Sequence, residues 1–517
     1  MFSPAPAASP LTYGLVKSFW LAAGGHEDAL AQVTFSGQGD LPSVFEVTSF
    51  ASASIAAAGL AVASLMKTME TGEALPAAVV VDRRLASFWF GLSVRPQGWS
   101  LSPVWDAVAG DYRAADGWIR LHTNAPQHRE AALAVLQVPA ERAAVAQAVA
   151  HWHSDALEAA VVARGGCAGA MRSWQQWQQH PQGRAVLAEP LLHWQEGSSA
   201  ATPGWALSRE PRRAAPKGLA PQPAGRRYTS TPCRAAPKRL APQPAGRSYT
   251  SERPLAGVRV LDMTRVLAGP VATRLLASLG AEVLRIDPPG WDEPVLTPEV
   301  TVGKQCARLD LRQADQRATW ETLLAGADVL VHGYRGDALE SLGLGTAQRQ
   351  QLRPGLVDVS LDAYGFSGPW RGRRGFDSIV QMSMGFAEAG QRSAGADKPV
   401  PLPVQALDHA TGYLMASAVV RALERRITTG RGSIARASLA RTGALLMAAQ
   451  CDPQHARVPL LPESQDDWSA DTEQTEWGPA RRLRWPLQVE GVVFAWSSPA
   501  VSLGSSAAAW QRSADNR

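Results

Sequence analysis

Apolar and polar positions alternate most legibly after residue 254. Val258-Arg-Val-Leu-Asp262 is a short apolar run that predicts a buried strand. Pro270 then stands at a first helical position, and VATRLLASLG keeps helical spacing up to a glycine stop. Ala281-Glu-Val-Leu-Arg-Ile286 predicts a second strand, ended by Asp287-Pro-Pro-Gly290. A helix near 316–324 and strands at 327–331 and 356–361 continue the pattern. Strand, helix and strand at this spacing imply an α/β fold with an open parallel sheet and crossover helices. Ligands in such folds sit at the carboxyl ends of the strands. Those ends carry Asp262-Met-Thr-Arg265, His332-Gly-Tyr-Arg335 and Asp362-Ala-Tyr-Gly365.

A long helix is predicted after Leu407, with an apolar stripe at 414, 415, 418, 419, 422 and 423 and a stop at Thr429-Gly430. Asp408 falls where an N-cap belongs. A carboxylate there is either a plain cap or a group held ionised by the helix dipole and aimed at a ligand, and spacing does not choose. Residues 47–66 are uncharged, nominally enough to span a bilayer. Their alanines, serines and threonines instead predict a buried helix, so no membrane partner is expected.

The chain has 517 residues, 45% hydrophobic and 19% charged, which allows two or three domains with large cores. Its net charge of +5 is local: residues 209–253 hold 11 Arg and Lys against two acids, so the rest nets −4. Residues 214–230 and 235–251 are a tandem repeat of 21-residue period that differs at two of 17 positions. Proline at this density and the lack of large apolar residues predict a semi-extended linker over 206–253, not a nucleic-acid arm. It separates a part at 1–205 from a domain at 254–450 with its tail at 451–517. The four cysteines (167, 233, 306, 451) lack CxxC spacing, which argues against a zinc site or disulfides. With no secretory pattern at the N-terminus, a cytoplasmic location is expected. The strand-one turn TRVLAGP lacks GxGxxG, and neither a P-loop nor a GxSxG elbow occurs, so NAD, ATP and serine-hydrolase readings lose their usual support.

The stretch PLAGVRVLDMTRVLAGPVATRLLASLGAEVLRIDPPG (254–290) resembles the opening of the class III CoA-transferase family, the formyl-CoA and carnitine CoA-transferase type. The resemblance continues through GADVLVHGYRGDALESLGLG (326–345), AYGFSGPWRGRRGFDSIVQMSMG (363–385) and ALDHATGYLMASAVVRALERRITTGRG (406–432). It implies a Rossmann-like large domain with a smaller α+β domain, coenzyme A as co-substrate with no tightly bound cofactor or metal, and an interlocked homodimer. It also implies that Asp408 is the nucleophile, passing CoA from an acyl-CoA to a carboxylic acid through a mixed anhydride and an aspartyl-CoA thioester. The CoA contacts it implies are Arg265, Leu267, Ala268, Gly333, Arg335 and Tyr364. Two departures stand out: Leu267 replaces a glutamine of some transferases, and His332-Gly-Tyr-Arg-Gly-Asp337 replaces the usual Glu-Asn-Phe-Arg-Pro-Gly.

The N-terminal part resembles the family's downstream half. Tyr112-Arg-Ala-Ala-Asp-Gly-Trp-Ile119, HTNAPQHR (122–129) and residues 160–183 resemble its small domain, placed here in permuted order. Residues 51–73 echo the helix at 409–431 with Phe50 opposite Asp408, a degenerate half without the nucleophile. His122 and His128 lie six apart, off a single helical face, and are expected to be satisfied structural histidines. The α-methylacyl-CoA racemases share the fold and need a second acid/base. Their histidine matches Phe376 here, and no histidine lies between 332 and 409, which disfavours that chemistry. A non-catalytic CoA-binding protein is the third reading, opposed by the presence of Asp408.

Overall fold

Short aliphatic runs build the centre of the molecule. The computed structural model describes residues 8–69, 77–199, 252–449 and 457–511. The tandem repeat, Cys233 and Cys451 lie outside the described residues. Seven strands form the main sheet: β1 His193–Ser199, β2 Arg259–Met263, β3 Glu282–Asp287, β4 Lys304–Arg308, β5 Val329–His332, β6 Val357–Asp362 and β7 Arg431–Ser438. Their order is β4-β3-β2-β5-β6-β7-β1. Strands β2 to β7 run parallel. The order reverses at β2/β5, which is the doubly wound arrangement with its ligand crevice at that switch point. The strands predicted from the apolar runs all form, shifted by one or two residues; β4 and β7 were not foreseen.

The edge strand β1 comes from the N-terminal part. It pairs antiparallel with β7, with Trp194 opposite Ala435, and covers an edge that would otherwise present open backbone groups. Helix Ala268–Ser278 returns from β2 and is buried along its whole length. Helix Ala406–Thr429 crosses it closely at Gly412, where a Cβ would stand 2.4 Å from the Ala268 carbonyl oxygen. Gly430 ends that helix at φ +71°, the left-handed position glycine favours. The Ala-rich helix Val47–Met69 is buried and packs along Ala406–Thr429. Ser64 and Thr68 hydroxyls both donate to Glu424 at 3.0 Å across that seam.

A smaller α+β body has a sheet of Gly110–Arg113, Trp118–Leu121 and Ala168–Ala170. Helices Pro126–Leu136, Arg142–Val149 and Ser154–Ala163 pack on it around Tyr112, Ile119 and Leu157. It docks on helix Asp377–Met384, where the Arg172 N–H donates to the Met382 carbonyl at 3.0 Å. The tail also reaches the N-terminal part. Strand Gly478–Leu483 pairs with both Trp468–Thr475 and Val94–Pro96, and Leu487–Val489 pairs with Val79–Asp82. At this junction the fully buried Glu299 accepts the Ser93 and Val94 N–H groups, each at 2.9 Å. It also pairs with Arg274 and Arg482.

Candidate active site

The loop after β2 is built from the inside out. Buried Asp262 accepts the Thr264 N–H at 2.9 Å and pairs with Lys304 at 3.0 Å, fixing the strand end. Beyond it Val266 adopts φ +64°, a strained position for a β-branched residue. Glu293 holds it there, accepting the Val266 N–H at 2.8 Å and the Trp291 indole N–H at 3.1 Å, while Arg285 pairs with Glu293. The Arg265 guanidinium consequently lies 4.8 Å from the ring centres of both Trp291 and Tyr334. Neither Arg265 nor Arg335 forms a salt bridge among the described residues.

These residues border a cavity of about 360 Å³ at the switch point. Of the predicted site residues, Arg265, Leu267, Ala268, Gly333, Arg335 and Asp408 all line it. Tyr364 does not. Its ring is fully buried against Trp370, and its hydroxyl lies 2.9 Å from the Ser383 hydroxyl, so it belongs to the interior.

Asp408 is not the N-cap. The helix begins one turn earlier than the pattern predicts, with Gln405 at the cap position and no side-chain bond from it. The cap is supplied by Asp377, whose carboxylate accepts the Leu407 and Asp408 N–H groups at 2.8 and 2.9 Å. A distant carboxylate thus satisfies the orphan donors of the first turn. It leaves the Asp408 carboxyl free to face the cavity, with no hydrogen bond among the described residues. Burial, reinforced by the Asp377 charge, pushes Asp408 well above the ordinary carboxylate range. Burial likewise lifts Asp377 to about 6, against the hydrogen bonds it accepts. His409 turns away and stacks on Phe90 at 5.0 Å; burial lowers it to about 3 and keeps it neutral.

The smaller body closes the cavity with Gln127 and His128. His122 stacks flat on Phe376, ring centres 3.8 Å apart, and His128 meets the same ring edge-on at 5.8 Å. These histidines are not satisfied as expected: Nδ1 of each is buried without a hydrogen-bond partner among the described residues. Tertiary structure brings them together from a strand end and a helix, a meeting that spacing along the chain does not announce. Asp377 was likewise not foreseen, although the RGRRGFDS motif contains it. Among the described residues, no cluster of three or more His, Cys, Asp or Glu could hold a metal ion.

Residues 255–471 match the family model described as CoA-transferase family III. A Mycobacterium tuberculosis protein named as a probable fatty acyl-CoA transferase is 32% identical over 201 residues, 36% of this chain and 50% of that one. A succinyl-CoA:glutarate CoA-transferase of Mus musculus is 33% identical over 193 residues, 35% of this chain and 44% of that one. The chain therefore spans about half the length of the curated relatives it matches. A crystal structure of the M. tuberculosis protein aligns at 34% identity and a TM-score of 0.35, covering 38% of this chain and 57% of that one.

Proposed function

We propose, on the premise that residues 255–471 belong to CoA-transferase family III, that the protein moves CoA between an acyl-CoA and a carboxylic acid. The observation that carries this reading is the Asp408 carboxyl facing a cavity at the switch point, with Arg265 and Arg335, neither in a salt bridge among the described residues, on its wall. Arg265 and Arg335 hold the phosphates of CoA, and Gly333, Leu267 and Ala268 form the surface along its thiol arm. An Asp408 oxygen attacks the thioester carbonyl; the C–S bond breaks and CoA leaves as thiolate, giving a mixed anhydride. The thiolate then attacks the Asp408 carbonyl carbon, the anhydride C–O bond breaks, and the donor acid departs as carboxylate. The acceptor acid takes CoA by the reverse steps, with no net proton or redox change. A carboxylate with a raised pKa is the stronger nucleophile once ionised, and closure by the smaller body keeps water from the two activated intermediates.

One observation favours a second reading, α-epimerisation of an acyl-CoA: His128 brings an imidazole into the cavity after all. Burial lowers it to about 4, leaving a weak base for a C–H proton, so transfer is retained. The test is mass spectrometry of the Asp408 peptide after mixing with acyl-CoA. The transferase reading expects a CoA thioester on Asp408; turnover without it, or α-deuterium wash-in from D2O without CoA exchange, overturns it.

A further inference from the structure

The wall beside Asp408 is set by Phe376, and Phe376 is clamped by two imidazoles of the smaller body. His128 is 4% exposed, yet neither ring nitrogen has a hydrogen bond among the described residues. Nδ1 is sealed away, which leaves Nε2 as the ring atom available to the cavity that His128 lines with Asp408. An apolar chain lying over Nε2 strips it of water without replacing the bond, whereas a polar group of a bound molecule supplies one. The wall mixes apolar Leu267, Ala268, Leu361 and Leu439 with polar groups, and His128 is the one of these whose ring lies against Phe376, so an acyl chain running along Phe376 meets its imidazole. Arg374, on the same wall, adds positive charge beside it.

We propose that His128 is a specificity-determining residue that hydrogen-bonds a polar substituent on the carbon chain of the acid. Resting on the transferase reading, this makes the substrates short acids bearing a hydroxyl or a second carboxylate, not plain fatty acids. A neutral imidazole donates or accepts at Nε2 according to its tautomer, so it serves either substituent. A site built around such a bond discriminates strongly against the analogue that lacks it, because its own polar group is then left unpaired.

The test compares thioesters matched in chain length: succinyl-CoA and 3-hydroxybutyryl-CoA against butyryl-CoA, each with acetate as acceptor. In the wild-type protein kcat/KM for at least one polar thioester exceeds that for butyryl-CoA by about tenfold or more. His128→Phe removes that preference while butyryl transfer persists, and His128→Gln, which keeps a polar atom near the Nε2 position, restores it. A wild-type protein that prefers butyryl-CoA overturns the proposal without recourse to any variant, and so does an unchanged preference in His128→Phe. No CoA exchange from any of the three, with no adduct on Asp408, overturns the transferase reading itself.

Discussion

Asp377 has two tasks that substitution can separate. Its carboxylate accepts the Leu407 and Asp408 N–H groups, and its charge raises the pKa of Asp408. In Asp377→Ala both N–H groups lose their acceptor. At about 1–3 kcal/mol for each buried unpaired donor, the loss is about 2–6 kcal/mol, a large share of the stability of a typical domain. In Asp377→Asn the side-chain oxygen still caps the helix. Its amide NH2 then meets the Gln381 amide, which cannot turn over because its oxygen already accepts the Leu402 N–H at 2.7 Å. That donor–donor contact costs about 1–2 kcal/mol. With the neighbouring charge gone, Asp408 ionises at lower pH, so the ascending limb of the pH–rate profile for CoA exchange moves toward acid. Stability has its own sign. A carboxyl raised to about 6 in the fold favours the folded state when protonated, so wild-type stability falls as pH rises from the unfolded value through about 6. Asp377→Asn flattens that slope. Urea melts across pH, followed by tryptophan fluorescence, and kcat/KM against pH measure both effects. An Asn variant as unstable as the Ala variant, or a limb that stays put or moves toward alkali, refutes the reasoning.

Asp408→Asn abolishes exchange and the CoA adduct but shifts stability by no more than about 1 kcal/mol, because this side chain caps nothing; a collapsed melting curve would contradict its placement at N3. Glu299→Gln leaves Arg274 buried without its counter-charge, while Arg482 keeps Glu473, and costs about 3–5 kcal/mol, visible as a lower denaturation midpoint; an unchanged midpoint would show that the junction is not held there. Residues 254–517 produced alone lack β1, the helix Val47–Met69 and the smaller body that closes the cavity, and are expected to be inactive until 1–205 is co-expressed. Full-rate exchange by the shorter piece on its own would rule out dependence on the N-terminal part.

The parallel strands and the Asp408 helix were legible because each rests on local periodicity: apolar runs for β2, β3, β5 and β6, and a single stripe ending at Gly430. Arg265 and Arg335 were legible from their position just past strand ends. What escaped was decided by residues far apart in sequence. Asp408 looks like a cap until Asp377, 31 residues away, occupies that role. Tyr364 follows a strand like the true lining residues, but the turn folds its ring inward beneath Trp370. His128 carries no local sign that it will meet Phe376. Strand β1 is a polar stretch, HWQEGSS, that becomes a strand only because β7 offers it an edge.

The pairing of helix Val47–Met69 with Ala406–Thr429 sets a problem of timing. The apolar helix leaves the ribosome early, and the surface that buries it follows about 340 residues later. At about 5–20 residues per second, it waits for roughly 20–70 s without its partner. During that interval an alanine-rich segment with a single charge, Lys67, offers its face to any other apolar surface, including that of a second nascent chain. Recombinant yield of the intact protein is therefore expected to depend steeply on chaperone supply and on growth temperature.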